Sequence, residues 1–354
     1  MTRIDTIMPD VHRQGWGPIL ALAQLTADLF SGRRLGLPDS ALTRSDRLWS
    51  MRPRVRGRGD SVLMALLGSP SDLTRLRASP AFRQGYRSVI VWIIDSFWDN
   101  DPIRQIEYAG IDLVCITRPE EYDHYRRRLG DRVLVLNWGA DVLNRGSGSA
   151  DRTVDLQRMG RQPEAFDDDA VTARMAAEYG LSFAGRPPNA TCPLENQRQL
   201  MDVYASTKYV LAHTNLASVQ PNTHPVKEYI TGRWTDALAC GATVAGKQPA
   251  SDHYFQHLLW KGATLDFDRI DLRNNIAALA EAVAVWTPEQ ARHNHLMALE
   301  RLDWRHCLKQ IAERMSVRST ALDHDLGRIA ARAAQLRNAG HFARASAVEP
   351  TIIR

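Results

Sequence analysis

Short apolar runs of strand length, separated by polar stretches able to form helices, recur along this chain of 354 residues. The first series is Val62 to Leu67, Val89 to Ile94, Leu113 to Thr117 and Val133 to Leu136, with helix-compatible segments such as Glu120 to Arg128 between them. A strand that is apolar on both faces must be covered on both faces, and intervening helices supply that cover in a parallel sheet. Ahead of the series, residues 11 to 35 are expected to be helical, with Ile19, Leu20, Leu22, Leu25 and Leu29 as the apolar stripe. On this reading the chain opens with a helix rather than a strand.

A second series follows Arg145 to Asp151, whose two glycines and two serines have the composition of a linker. Its strands are Val154 to Gln157, Leu181 to Ala184 and Tyr209 to His213; Asp167 to Tyr179 and Glu195 to Thr207 are its helices. A long loop runs from Thr214 to Pro225. Residues 277 to 285, 288 to 315 and 323 to 339 are expected to be helical. The fold class is α/β, with two doubly wound Rossmann-like domains and extra terminal helices. Residues 1–145 form the first domain, 152–300 the second, and 301–354 closing helices that partly cross back. Two such domains present the carboxyl ends of their strands to each other across a cleft, the edge where open α/β sheets bind ligands.

The length and a hydrophobic content of 44% suffice for two cores. No run of 18 or more apolar residues occurs and no leader is recognisable, so a cytoplasmic protein is expected. Cys115, Cys192, Cys240 and Cys307 form no Cys-x-x-Cys pair, which signals neither zinc nor a disulfide framework. The formal charge of +5 draws on arginines between Arg52 and Arg58 and between Arg126 and Arg128. No nucleic-acid module accompanies them, and nucleic acid is not an expected partner. A solvated basic face explains them; attraction to anionic donors, glycans or the inner face of a membrane is the functional alternative.

Chemistry concentrates between Thr223 and Gly246, where Glu228 and Asp236 stand eight positions apart at a loop-to-helix junction. Thr231 and Gly232 open a helix that runs to about Cys240, and Gly241 closes it. Thr231 is positioned to cap the first turn through its hydroxyl. The open amides around residues 230 to 233 and the positive end of the helix dipole suit an anion. Arg233 on that first turn opposes the dipole, which also points to an anion nearby. Arg161 and Arg186 follow strands of the second series, and a guanidinium holds two phosphate oxygens at once; surface ion pairs are the ordinary alternative for each. In the first domain, Trp92 to Trp98 is a strand ending in Asp95, Phe97 and Trp98. Asp95 either orients an acceptor or acts as base, with Trp98 stacking on a sugar ring, or it caps the next helix while the aromatics pack the domain. His224, held extended by Pro225, and Lys227 flank the loop and rank behind these.

The segment resembles the donor-binding region of GT-B glycosyltransferases, in which a glutamate, seven intervening residues and a second glutamate precede Ala-Cys-Gly. Here the second acid is Asp236 and the triplet is Ala239-Cys240-Gly241. The Gly160-Arg161 pair and Asp141 in Trp138-Gly139-Ala140-Asp141 resemble further family features, and Trp286-Thr287-Pro288 with Leu302-Asp303-Trp304-Arg305 resembles the bacterial group-1 type. The resemblance implies a hexosyltransferase using a nucleoside-diphosphate sugar and a hydroxyl acceptor, a glycan or small molecule. It implies no metal and no cofactor beyond the donor, and retention of anomeric configuration. Glu228 then lies near the transferred sugar and Asp236 at the ribose. Arg161 and the backbone at Thr231 and Gly232 then meet the diphosphate; Arg186 and Arg233 join them as donor-binding candidates, and Trp98 and His224 as acceptor-binding candidates, on their own positions and chemistry. The chain departs from the pattern at the front, where the glycine-rich loop after a first strand is missing. A binding protein that kept the cleft without turnover is the alternative. A nicotinamide-dependent dehydrogenase is disfavoured because Gly146-Ser147-Gly148 does not complete a dinucleotide turn.

Overall fold

In the computed structural model, which describes residues 3–10, 14–37, 41–83, 85–98, 110–217, 224–251, 253, 257–268 and 270–346, two parallel sheets form the framework. The first contains β1 (Ile4–Pro9), β2 (Arg34–Leu37), β3 (Val62–Leu67), β4 (Ser88–Ile93), β5 (Leu113–Ile116) and β6 (Val133–Val135) in the order β2-β1-β3-β4-β5-β6. The second contains β7 (Val154–Arg158), β8 (Phe183–Ala184), β9 (Thr207–Leu211), β10 (Thr243–Gly246) and β11 (Thr264–Asp266) in the order β11-β10-β9-β7-β8. The central strands β3, β4 and β5 are buried almost end to end, as their unbroken apolar sequences require.

The expectation that the chain opens with a helix is corrected by β1. Its sequence, Ile-Asp-Thr-Ile-Met-Pro, hides the strand because Asp5 interrupts the apolar run. Tertiary partners make that acid tolerable. Arg33 donates its backbone N–H at 2.8 Å and its guanidinium at 3.0 Å, Tyr86 donates its hydroxyl at 2.7 Å, and Arg3 lies at 3.0 Å. Among the described residues of the helix expected over 11 to 35, the α-helix spans Gly17–Leu29, and the chain leaves it into the edge strand β2; residues 11–13 lie outside the described residues.

The helical stretch expected over residues 288 to 315 divides into Pro288–Arg301 and Trp304–Arg314. Asp303 breaks it: extended at φ −68°, ψ 127°, it caps the second helix through the Arg305 N–H. Beyond the break, Trp304, Leu308 and Ile311 pack with Ile4, Leu22 and Leu113 in the core of the first sheet. The long helix Thr320–Ser346 then contributes Leu322 to that core and Ile329 to the core of the second sheet. The two halves are thus closed by helices that belong to both.

Candidate functional site

In each sheet the chain runs outward in opposite directions from one point, between β1 and β3 and between β7 and β9. The loops leaving the carboxyl ends beside those points converge on one cleft of about 530 Å³. Gly15, Trp16, Gly68, Asp95 and Trp138 line it from the first sheet's side, and Gly160, Arg161, Arg186, Thr231, Arg233 and Asp236 from the second's.

One wall is cationic. Gly160 follows β7 at φ +68°, a conformation that glycine adopts without strain. A Cβ there would lie 2.3 Å from an Nη of Arg233, so the absence of a side chain admits the guanidinium. Arg233 donates to the Met159 carbonyl at 2.8 Å and to the Thr231 hydroxyl at 3.2 Å, while Arg186 donates to the Gly160 carbonyl at 3.1 Å. These bonds go to carbonyl and hydroxyl oxygens, which leave the cationic charge uncompensated. Burial holds the Arg233 pKa below the usual value, and the charges of Arg161 and Arg186 push the same way. Three guanidinium groups within electrostatic reach of one another create a potential that an anion would relieve.

The helix Gly232–Ala239 points its amino end at this wall. The expected hydroxyl cap does not form: Thr231 has the extended backbone of a cap, but its oxygen accepts from Arg233. Gly232 is pressed against the Trp138 indole, where a Cβ would meet Nε1 at 3.2 Å. Asp236, one turn in, is buried and accepts from the Gln197 amide at 2.9 Å. Burial raises its pKa to about 7, against the pull of that hydrogen bond.

On the opposite wall Asp95 follows β4, with its N–H on the Gly68 carbonyl at 2.8 Å. Burial, assisted by the charge of Asp72, raises its pKa to about 7. Tyr229 reaches between the walls. Its phenol is pushed up to about 12 by burial and by the charge of Asp95, against the opposing pull of Arg161 and Arg233.

Glu228, Trp98 and His224 stand outside the described lining of the cleft. The Glu228 carboxylate accepts from the Ala250 N–H at 2.5 Å, which turns it toward the loop after β10. His224 is buried, and its Nδ1 accepts from the N–H groups of Val226 and Lys227 at 3.2 and 3.0 Å. Its ring and that of Trp98 lie 5.4 Å apart, both against Phe97, and Phe97 stacks on Tyr229 at 4.6 Å. Lys227 reaches across to the Phe97 carbonyl at 3.1 Å and to Glu121 at 3.2 Å. These residues fasten one sheet's loops to the other's. Among the described residues, no group of three or more His, Cys, Asp or Glu side chains could hold a metal ion.

No protein-family model matches the sequence, and no curated protein matches it. Among solved structures, HepE from Anabaena in complex with UDP superposes with a TM-score of 0.51 at 10% identity, over 89% of this chain and 99% of that one. The chain has the GT-B fold. HepE in complex with UDP-glucose gives 0.48 at 12% identity over 88% and 99% of the two chains. Sucrose-phosphate synthase from Thermosynechococcus elongatus gives 0.49 at 12% identity over 88% and 98%.

Within the GT-B frame, sequence reasoning missed Trp16, Tyr229 and Gln197. Trp16 and Gly15 lie where the resemblance found no glycine-rich loop after a first strand; part of that stretch, residues 11–13, is outside the described residues. Tyr229 stands between two residues that the motif did single out. No local signal marks Gln197, because its place beside Asp236 depends on packing between the helices Pro193–Ala205 and Gly232–Ala239.

Proposed function

We propose that this protein is a glycosyltransferase that moves a hexose from a nucleoside-diphosphate sugar to a hydroxyl acceptor on a glycan or small molecule. The observation that carries the proposal is the cationic wall of Arg161, Arg186 and Arg233 beside the open amino end of the helix Gly232–Ala239, facing a cleft between two sheets. Such a wall suits a diphosphate, and its fixed charges stabilise the negative charge that develops as the bond from the sugar's anomeric carbon to the diphosphate oxygen breaks. That is the electrostatic work a metal does in other transferases, so metal independence belongs to the proposal.

Asp95 faces this wall across the cleft, where its carboxyl is suited to orient the acceptor; the acceptor's hydroxyl proton passes to the departing diphosphate oxygen as the hydroxyl oxygen bonds the anomeric carbon from the same face. Asp236, deep beside Gln197, is assigned to the donor's ribose, and Glu228 to the neighbourhood of the transferred sugar, where it also holds the loop at Ala250. Trp98 and His224 take an indirect part on the acceptor side by supporting Phe97 and Tyr229. Retention of anomeric configuration is the proposed outcome.

The test is a panel of nucleoside-diphosphate sugars, read by thermal shift and by release of nucleoside diphosphate in the presence of hydroxyl acceptors. One donor should both raise the melting temperature and turn over. Arg161→Ala should weaken the binding of that nucleoside diphosphate by about 1.5 to 3 kcal/mol, the range for hydrogen bonds to charged groups. Stabilisation without turnover across the panel would leave a binding protein, and equal affinity in the variant would remove Arg161 from the site.

A further inference from the structure

The segment from Arg44 to Arg58 is used by neither the cleft nor the core, and its surface is unusual. It holds six arginines against one aspartate, so it carries a formal charge equal to the +5 of the whole chain. That aspartate, Asp46, is occupied locally: its carboxylate accepts from the Thr43 N–H at 2.8 Å in a capping box that starts the helix Arg44–Ser50. Arg54 and Arg56 pair with Asp112 at 3.1 and 2.7 Å. Arg44, Arg47, Arg52 and Arg58 are exposed.

Among them stand apolar side chains facing water. Leu48, Trp49, Met51 and Val55 are 62%, 49%, 67% and 76% exposed, half of the large exposed hydrophobic residues among those described. Arg52 and Arg83 lie over the Trp49 ring at 4.6 and 5.3 Å, so the indole carries two cations. A solvated basic face would not carry four apolar side chains, and exposing them costs free energy unless something covers them.

We propose that residues 44–58 form a docking surface for an anionic lipid bilayer. Arginines attract the headgroups, an interfacial tryptophan sits at their level, and Leu48, Met51 and Val55 enter the acyl boundary. A nucleic acid offers phosphates to the arginines and bases to Trp49, but no apolar phase for Leu48, Met51 and Val55, which a bilayer supplies. The location leaves the cleft free. Arg54 binds the carbonyls of Tyr86 and Arg87 beside the start of β4, whereas the cleft opens at that strand's far end, at Asp95. Six strand residues separate the two by roughly 20 Å. This inference is independent of the donor-site reading.

The experiment is co-sedimentation of the full chain with vesicles of phosphatidylglycerol and phosphatidylcholine in equal parts, and with phosphatidylcholine alone. Binding should occur to the first and be absent from the second. The variant R44Q/R47Q/R52Q should bind about a hundredfold more weakly, near fivefold per arginine. L48S/M51S/V55S, which keeps every charge, should lose at least about tenfold. Circular dichroism melts, expected to be unchanged because these side chains are exposed, show that both variants fold. No binding of the wild type to anionic vesicles overturns the proposal. So does undiminished binding by L48S/M51S/V55S, which would mean charge adsorption only, or displacement from the vesicles by duplex DNA.

Discussion

Asp95 and Asp236 are two carboxylates pushed toward neutrality on opposite walls of one cleft, both chiefly by burial. Asp236 permits a test that does not depend on turnover. Its folded pKa of about 7 stands above the ordinary 3.8, so between those values the folded state holds a proton that the unfolded state has released. The side chain's contribution to stability is therefore complete below about pH 4 and is lost as pH rises through 7. Asp236→Asn keeps the shape and removes the titration. The melting temperature of the variant relative to wild type should climb across that window and level off above it. A difference that does not change with pH would mean that Asp236 is ionised and solvated in the fold.

At the scale of elements, the turn after β7 and the start of the helix Gly232–Ala239 form one device joined by Arg233. Gly160 allows it in two ways, by its positive φ and by the space its missing side chain leaves for the guanidinium. Gly160→Ala should displace Arg233 and strain the turn whose carbonyl Arg186 also bonds. The expected loss is about tenfold in affinity for the nucleoside diphosphate, the worth of one charge-assisted hydrogen bond, as measured by calorimetric titration. Much of this device was legible in the sequence. Gly160-Arg161 after a short strand and Gly232 and Gly241 bracketing a helix are local signals. That the Thr231 hydroxyl serves Arg233 instead of the helix was not legible, because the competing donor arrives from a side chain whose position depends on the turn at Gly160.

For the whole molecule, Arg305 is the crossing point. It is fully buried at the helix break, bonded to Asp141 at 2.8 Å, Asp303 at 3.0 Å and Asp325 at 2.7 Å, and next to the contact between Ala140 and Asp303 that ties the second half's exit to the first half's end. Surrounding carboxylates raise its pKa despite its burial. Arg305→Met keeps the volume but leaves three acids without their shared cation, and should cost about 3 to 5 kcal/mol in urea unfolding. A loss under about 1 kcal/mol would show that the acids find other partners.

By itself the sequence determined the class of fold and the local turns that carry Arg161 and Arg233. Uninterrupted apolar runs admit only strands covered on both faces, and Gly160-Arg161 and the helix start at Thr231-Gly232 are each marked by neighbouring residues. The tertiary structure alone decided the rest. Asp5 is admissible in β1 only because Arg3, Arg33 and Tyr86 come to it, and Asp95 meets the cationic wall only because two sheets close on each other. Glu228 meets the Ala250 N–H, and Trp98 and His224 pack against Phe97, contacts that no local pattern announced. Local pattern fixes where a backbone goes; a side chain's partner depends on which distant segment packs beside it, and no periodicity records that.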